Sequence, residues 1–254
     1  MKVSKNIQEI YWDSNIIGTK GIKLFIEGIR SSPTLRELSI KNTGIGNPGL
    51  RLLAEGLRDN ETLKGLDISS NSITFESFAD LCDALNYNKI RNLKARNNLL
   101  GDESMKYFSD LILSEGSYSE LVQFDFSSSK IYDQGLIFLL NKLQNNKKIC
   151  KIKLRDNYFS HEIDHVVVDF LDKNTKLTSL DLSKNRFSLQ CLQKIQNLIN
   201  RNIKIQNDKE PNKLLVEVYR LKYENTKLNE MKETLKNLEN VKISLIFFMY
   251  YNIN

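Results

Sequence analysis

Cysteine and histidine are scarce in this 254-residue chain, with three of one and two of the other. Cys82, Cys150 and Cys191 lie far apart without a CxxC pair. So sparse and odd a set argues against a disulfide framework and predicts reduced thiols in a cytoplasmic protein. The opening MKVSKNIQEIYWDSN lacks the apolar stretch of a secretory leader. No window reaches the roughly 20 apolar residues of a bilayer-spanning helix, so no membrane partner is expected.

Catalytic signatures are missing too. GIGNPGL, from Gly44, lacks the GKS or GKT ending of a phosphate-binding loop. No GxSxG elbow occurs, and neither histidine is placed to activate a serine or cysteine. The expectation is a protein that is not an enzyme.

What the chain does have is 41% hydrophobic residues, enough for a sizeable core, and a formal net charge of +6. The excess is spread along the chain. It favours an acidic partner surface without specifying nucleic acid.

The dominant pattern is an internal repeat. LTSLDLSKNRF from Leu177, LKGLDISSNSI from Leu63 and LRELSIKNTGI from Leu35 are its clearest copies. Weaker copies begin at Ile7, Ile90, Leu121 and Ile149. The seven starts at 7, 35, 63, 90, 121, 149 and 177 lie 27 to 31 residues apart. Apolar residues at positions 1, 4 and 6, as in Leu177, Leu180 and Leu182, predict a strand. Asparagine at position 9 (Asn15, Asn71, Asn98, Asn157, Asn185) suits a tight turn, with Thr43 and Ser129 substituting in two units. A helical period follows: Leu50, Leu53, Ala54 and Leu57 share one face, as do Phe78, Leu81, Cys82 and Leu85.

This pattern resembles the leucine-rich repeat LxxLxLxxNxI, and its long period resembles the ribonuclease-inhibitor subtype. The expected fold is an α/β horseshoe solenoid over residues 1–202. It would have a parallel sheet on the concave face and helices on the convex face. Unit four has three extra residues within LILSEGSYSE, read as a loop bulging at the solenoid edge. Unit one begins at Ile7 without a polar capping segment. Its apolar edge is tolerated, covered by a partner, or preceded by a start missed in the gene.

The repeat phase also disposes of HEIDH, His161 to His165, which matches the zinc-protease HExxH. In register with its sister units, Ile163, Val167 and Leu171 face inward. His161, Glu162 and His165 then point outward, away from any cleft. The match is coincidental, and no metal or other cofactor is expected.

Residues 203–241 read as a linker and a helical segment, with Pro211 at the start of the helix. Leu214, Leu221, Leu228 and Leu235 recur every seven residues, with Val218 and Asn225 at the partner seam position. Two readings fit. One is a parallel two-stranded coiled coil making a homodimer through residues 211–239; the other is a single amphipathic helix folding back as a C-terminal cap.

Strand positions 3, 5 and 7 project from the concave face. Unit four offers Asn92, Lys94 and Arg96; unit five Gln123, Asp125 and Ser127; unit six Lys151, Lys153 and Arg155. Units three and seven show Asp67 and Asp181, and unit one shows Glu9, Tyr11 and Asp13. The candidate partner-binding residues are Lys94, Arg96, Asp125, Lys151, Lys153 and Arg155. They form a surface for an acidic protein segment, or else a solvated face whose charges maintain solubility. No aromatics interleave with these cations, so nucleic acid is not an expected partner.

From about Leu35 to Leu235 the order of units and the following charged helix resemble the N-terminal part of the leucine-rich repeat-containing protein 45 family. That resemblance implies a cytoskeletal scaffold of the centrosome, basal body or cilium. Two other repeat families stay open: a Ran GTPase activator, whose tail is acidic where this one is lysine-rich, and a dynein-regulatory-complex subunit of the axoneme. The closing residues 242–254 break the pattern, with an apolar stretch from Ile243 to Tyr251. They read either as a short strand or interfacial anchor, or as a translated AT-rich intron beyond which the coiled coil continues.

Overall fold

The computed structural model describes residues 6–113, 117–209 and Lys227. Strand and helix alternate: β1 (Glu9–Tyr11), α1 (Gly18–Arg30), β2 (Glu37–Ser39), α2 (Gly46–Arg58), β3 (Gly65–Asp67), α3 (Phe75–Leu85), β4 (Asn92–Lys94) and α4 (Gly101–Ile112). Then come β5 (Gln123–Asp125), α5 (Asp133–Leu143), β6 (Lys151–Lys153), a 3-10 turn (His161–Ile163), α6 (Asp164–Lys173), β7 (Ser179–Asp181) and α7 (Leu189–Lys209). The seven strands form one parallel sheet in chain order, β1 to β7. Equivalent positions stand side by side, so Leu38, Leu66, Leu93, Phe124, Ile152 and Leu180 are in register.

Each strand is only three residues long because the chain must turn twice in every unit. Positions 4 and 6 point under the sheet, where Leu66, Ile68, Leu93 and Ala95 are at most 2% exposed. The helices meet them from the other side with Leu50, Leu53, Ala54 and Leu57, then Phe78, Leu81, Cys82 and Leu85, all buried. Burying each such leucine contributes about 1.5–3 kcal/mol. Helices α1 and α2 approach so closely that a Cβ on Gly56 would lie 2.2 Å from Ile26 Cδ1. Under β5, Phe108, Phe124 and Phe126 pack with ring centroids 4.8–5.2 Å apart.

The position-9 asparagines lock successive turns together. Asn98 Oδ1 accepts the backbone N–H groups of Asn71 and Ile73, both at 3.0 Å, in the preceding unit. Its amide donates to the carbonyls of Ala95 at 2.9 Å and Ile68 at 3.2 Å. Asn71, Asn157 and Asn185 repeat the arrangement. The turns they serve are tight because position 8 of every unit is left-handed: Ser14, Asn42, Ser70, Asn97, Ser128, Asp156 and Lys184 have φ of 52–60°. Short polar side chains tolerate this region best, and Lys184 departs from that type.

Two further ladders escaped the sequence reading. Asn60, Asn146 and Asn174 stand three residues before the next unit start. Each donates to a helix-end carbonyl of the preceding unit and accepts from the backbone amide that opens the following one. On the opposite edge, acids at the start of one helix cap the next: Asp102 accepts from Tyr132 N–H at 2.7 Å, and Asp133 from Ser160 N–H at 2.7 Å.

Contacts divide the chain into Met1–Ile203 and Lys204–Asn254, and the repeats lie in the first unit. Residues 203–209, read as a linker, are helical as the end of α7. Neither glycine nor proline interrupts the sequence from Leu189 to Lys209, so nothing within these residues breaks the helix. Residues 114–116 of the unit-four stretch LILSEGSYSE, the seam residues Leu214, Val218, Leu221, Asn225, Leu228 and Leu235, and the tail 242–254 lie outside the described residues.

Candidate functional site: the strand face

The sheet face opposite the helices presents positions 3, 5 and 7. Lys94, Arg96, Lys151, Lys153 and Arg155 stand exposed there. Asp125 does not: it is 7% exposed, and its Oδ1 accepts from Ser127 N–H at 3.1 Å and Ser127 Oγ at 2.6 Å. Its other oxygen lies 3.7 Å from Arg96 Nε. Of the residues read as partner-binding, Asp125 is the one that is buried.

Register refines the expected basic band. The central row reads Tyr11, Ser39, Asp67, Lys94, Asp125, Lys153, Asp181 across the seven strands, alternating in sign from Asp67 onward. Lys94 Nζ is 3.8 Å from Asp67 Oδ2, an ion pair in solvent contributing at most about 1 kcal/mol. Asp181 accepts from Ser183 N–H and Oγ at 3.0 and 2.6 Å. Burial pushes its carboxyl up, but the Ser183 donors and the charges of Arg155 and Lys153 outweigh that and hold it below the usual range. Lys151 stands between Gln123 and Ser179, with no acid opposite it in the sheet.

Hollows open on this face among the described residues. One, about 570 Å³, is lined by Asp13, Lys41, Asp67, Lys94, Arg96 and Lys153 among others. A second of about 400 Å³ lies over Asn92, Lys94, Gln123, Lys151 and Lys153. Another, about 240 Å³, is lined by Tyr11, Asp13, Glu37, Asp67 and neighbours. Glu37 lies across Gly65, where a Cβ would come 1.7 Å from Glu37 Oε2, so the missing side chain makes room for the carboxylate. Burial, then the nearby Glu9 charge, push the Glu37 carboxyl up, against a smaller pull from Lys94.

The HEIDH residues sit elsewhere. His161, Glu162 and His165 are exposed, on the 3-10 turn and first turn of α6, while Ile163, Val167 and Leu171 are buried. Among the described residues no group of three or more His, Cys, Asp or Glu is placed to hold a metal ion. Nor, among them, is any helix long and apolar enough to cross a membrane. The three thiols are unbridged, with Cys82 and Cys191 buried and Cys150 half-buried.

The leucine-rich repeat family model matches residues 31–54 and 173–192, pieces that fall in the repeat phase already described. The fold is a leucine-rich repeat solenoid. Solved structures resemble it at low identity. For the actin-binding site 2 of leiomodin-1 the identity is 16% and the TM-score 0.46, covering 77% of this chain and 95% of that one. For a tropomodulin C-terminal domain from Caenorhabditis elegans the identity is 14% and the TM-score 0.48, covering 75% and 98%. A comparison with curated protein sequences finds no match.

Proposed function

We propose that the chain is a non-enzymatic interaction scaffold that holds an acidic segment of a partner protein against its strand face. The observation that supports this most directly is the exposed trio Lys151, Lys153 and Arg155 on one strand and its turn, beside the hollow over Asn92 and Gln123. A parallel sheet that aligns equivalent residues from unit to unit makes a wide, rigid platform, and such platforms bind by surface rather than by reaction. In the finer reading the scaffold belongs to the centrosome, basal body or cilium. The heptad leucines of 211–239 join it to a second copy there.

The docking reading is tested with a fluorescent polyglutamate peptide titrated against wild-type protein and the Lys153→Glu/Arg155→Glu variant. Binding that weakens with salt and is lost in the variant is expected; equal binding to both would contradict it. The finer reading is tested by imaging the tagged protein. Enrichment at basal bodies is expected, and a diffuse signal would end it.

A further inference from the structure

The charges of the strand face are sorted along the sheet. Its first two strands and their turns bring Glu9, Asp13 and Glu37, offset by Lys41. Its sixth brings Lys151, Lys153 and Arg155. Between them, Asp67 and Asp125 are satisfied by Lys94, Arg96 and local serine groups. Strands β1 and β2 are thus acidic and β6 is basic, with Asp181 of the last strand in register with Lys153. Glu37 is held above the usual range, first by burial and then by the Glu9 charge. Asp181, although burial pushes it up, is held below by Ser183, Arg155 and Lys153.

The two regions belong to one trough. The hollow at the acidic end and the one at the basic end share Asn92, Lys94 and Gln123. Asn92 and Gln123 are register partners in β4 and β5, and both are half-buried. Their amides both donate and accept, as a crossing peptide backbone requires. From Glu9 in β1 to Lys151 in β6 is five strand steps. At about 4.8 Å per step that is roughly 24 Å, the length of about seven extended residues.

We propose that this trough takes an extended, charge-sorted segment of a partner protein. Its basic residues would lie over Glu9 and Glu37 and its acidic residues over Lys151 and Lys153, so that it docks in one orientation across the strands. This rests on the strand-face docking reading and adds a partner chemistry and a direction to it. Opposite-charge pairing at both ends favours one orientation, because the reversed segment sets like charge against like at each end.

Three labelled, end-capped peptides of equal length test this. One has a lysine block, a Gly-Ser spacer and a glutamate block; one has the same composition with the charges alternating; one has glutamate in place of every lysine. The block peptide should bind about tenfold tighter than the alternating one at low ionic strength. Glu37→Lys should weaken the block peptide and strengthen the all-glutamate one. Glu9→Lys, at an exposed position, should do the same without touching the Gly65 notch. If block and alternating peptides bind equally while the all-glutamate peptide binds well, the sorted reading fails and the docking reading stands. If none binds, both fail.

Discussion

Lys94 and Asp67 face each other across β4 and β3, Nζ to Oδ2 at 3.8 Å, on the face that carries the proposed docking surface. The pair holds back part of the charge that a partner would meet. Asp67→Asn should therefore strengthen capture of a polyglutamate peptide, by about two- to threefold at low salt, with the gain vanishing as salt rises. Fluorescence anisotropy reads this directly. Weaker or unchanged capture would mean that Lys94 takes no part.

Asn157 holds two backbone donors and two carbonyls: Ser129 and Ile131 N–H at 3.0 and 3.1 Å, and the Phe126 and Leu154 carbonyls at 3.1 and 2.9 Å. Asn157→Ala leaves these without that partner in a buried turn. The expected loss is on the order of 3 kcal/mol in urea unfolding. A loss below about 1 kcal/mol would mean that water replaces the amide.

Lys184 occupies the left-handed position with φ of 59°, where the other units place serine, asparagine or aspartate. Lys184→Asn should stabilise the protein by a few tenths of a kcal/mol up to about 1 kcal/mol, raising the melting temperature. No rise would show that the turn is not strained by the longer side chain.

Burial, with Asp164 nearby, pushes the Cys191 thiol up to about 12. The folded state thus keeps this proton where the unfolded chain loses it, near pH 8.5. The stabilisation is complete below the unfolded value and declines as pH rises toward 12. Between pH 8.5 and 11 wild-type stability should fall more steeply than that of Cys191→Ala; parallel slopes would contradict this. In the native protein a thiol reagent should label half-buried Cys150 before Cys82 or Cys191.

Much of this fold is legible in the sequence because a repeat states the same structural rule in every unit. Leu50, Leu53 and Leu57 announce an inward helix face, and Asn71 and Asn98 announce a turn that needs an amide. The helix-capping acids Asp102 and Asp133 and the second ladder through Asn60, Asn146 and Asn174 also recur at a fixed phase, so aligning the units for polar positions would have found them. The strand-face chemistry was less legible. Outward residues could be named from the phase, yet only register sets Lys94 against Asp67, and only packing shows Asp125 turned to Ser127. The end of α7 was misread because the repeat motif stops at Asn202 while helix propensity continues to Lys209.

The central claim is that the strand face, rather than the molecule's overall positive charge, captures the partner. The most direct measurement compares two variants with the same change in net charge: Lys153→Glu/Arg155→Glu on the strand face, and Lys23→Glu/Lys106→Glu on exposed helix positions of α1 and α4. Titrated with the same polyglutamate peptide, the strand-face variant should lose at least about tenfold in affinity while the helix variant stays within about twofold of wild type. Equal losses in both would show attraction to net charge alone and contradict a docking face.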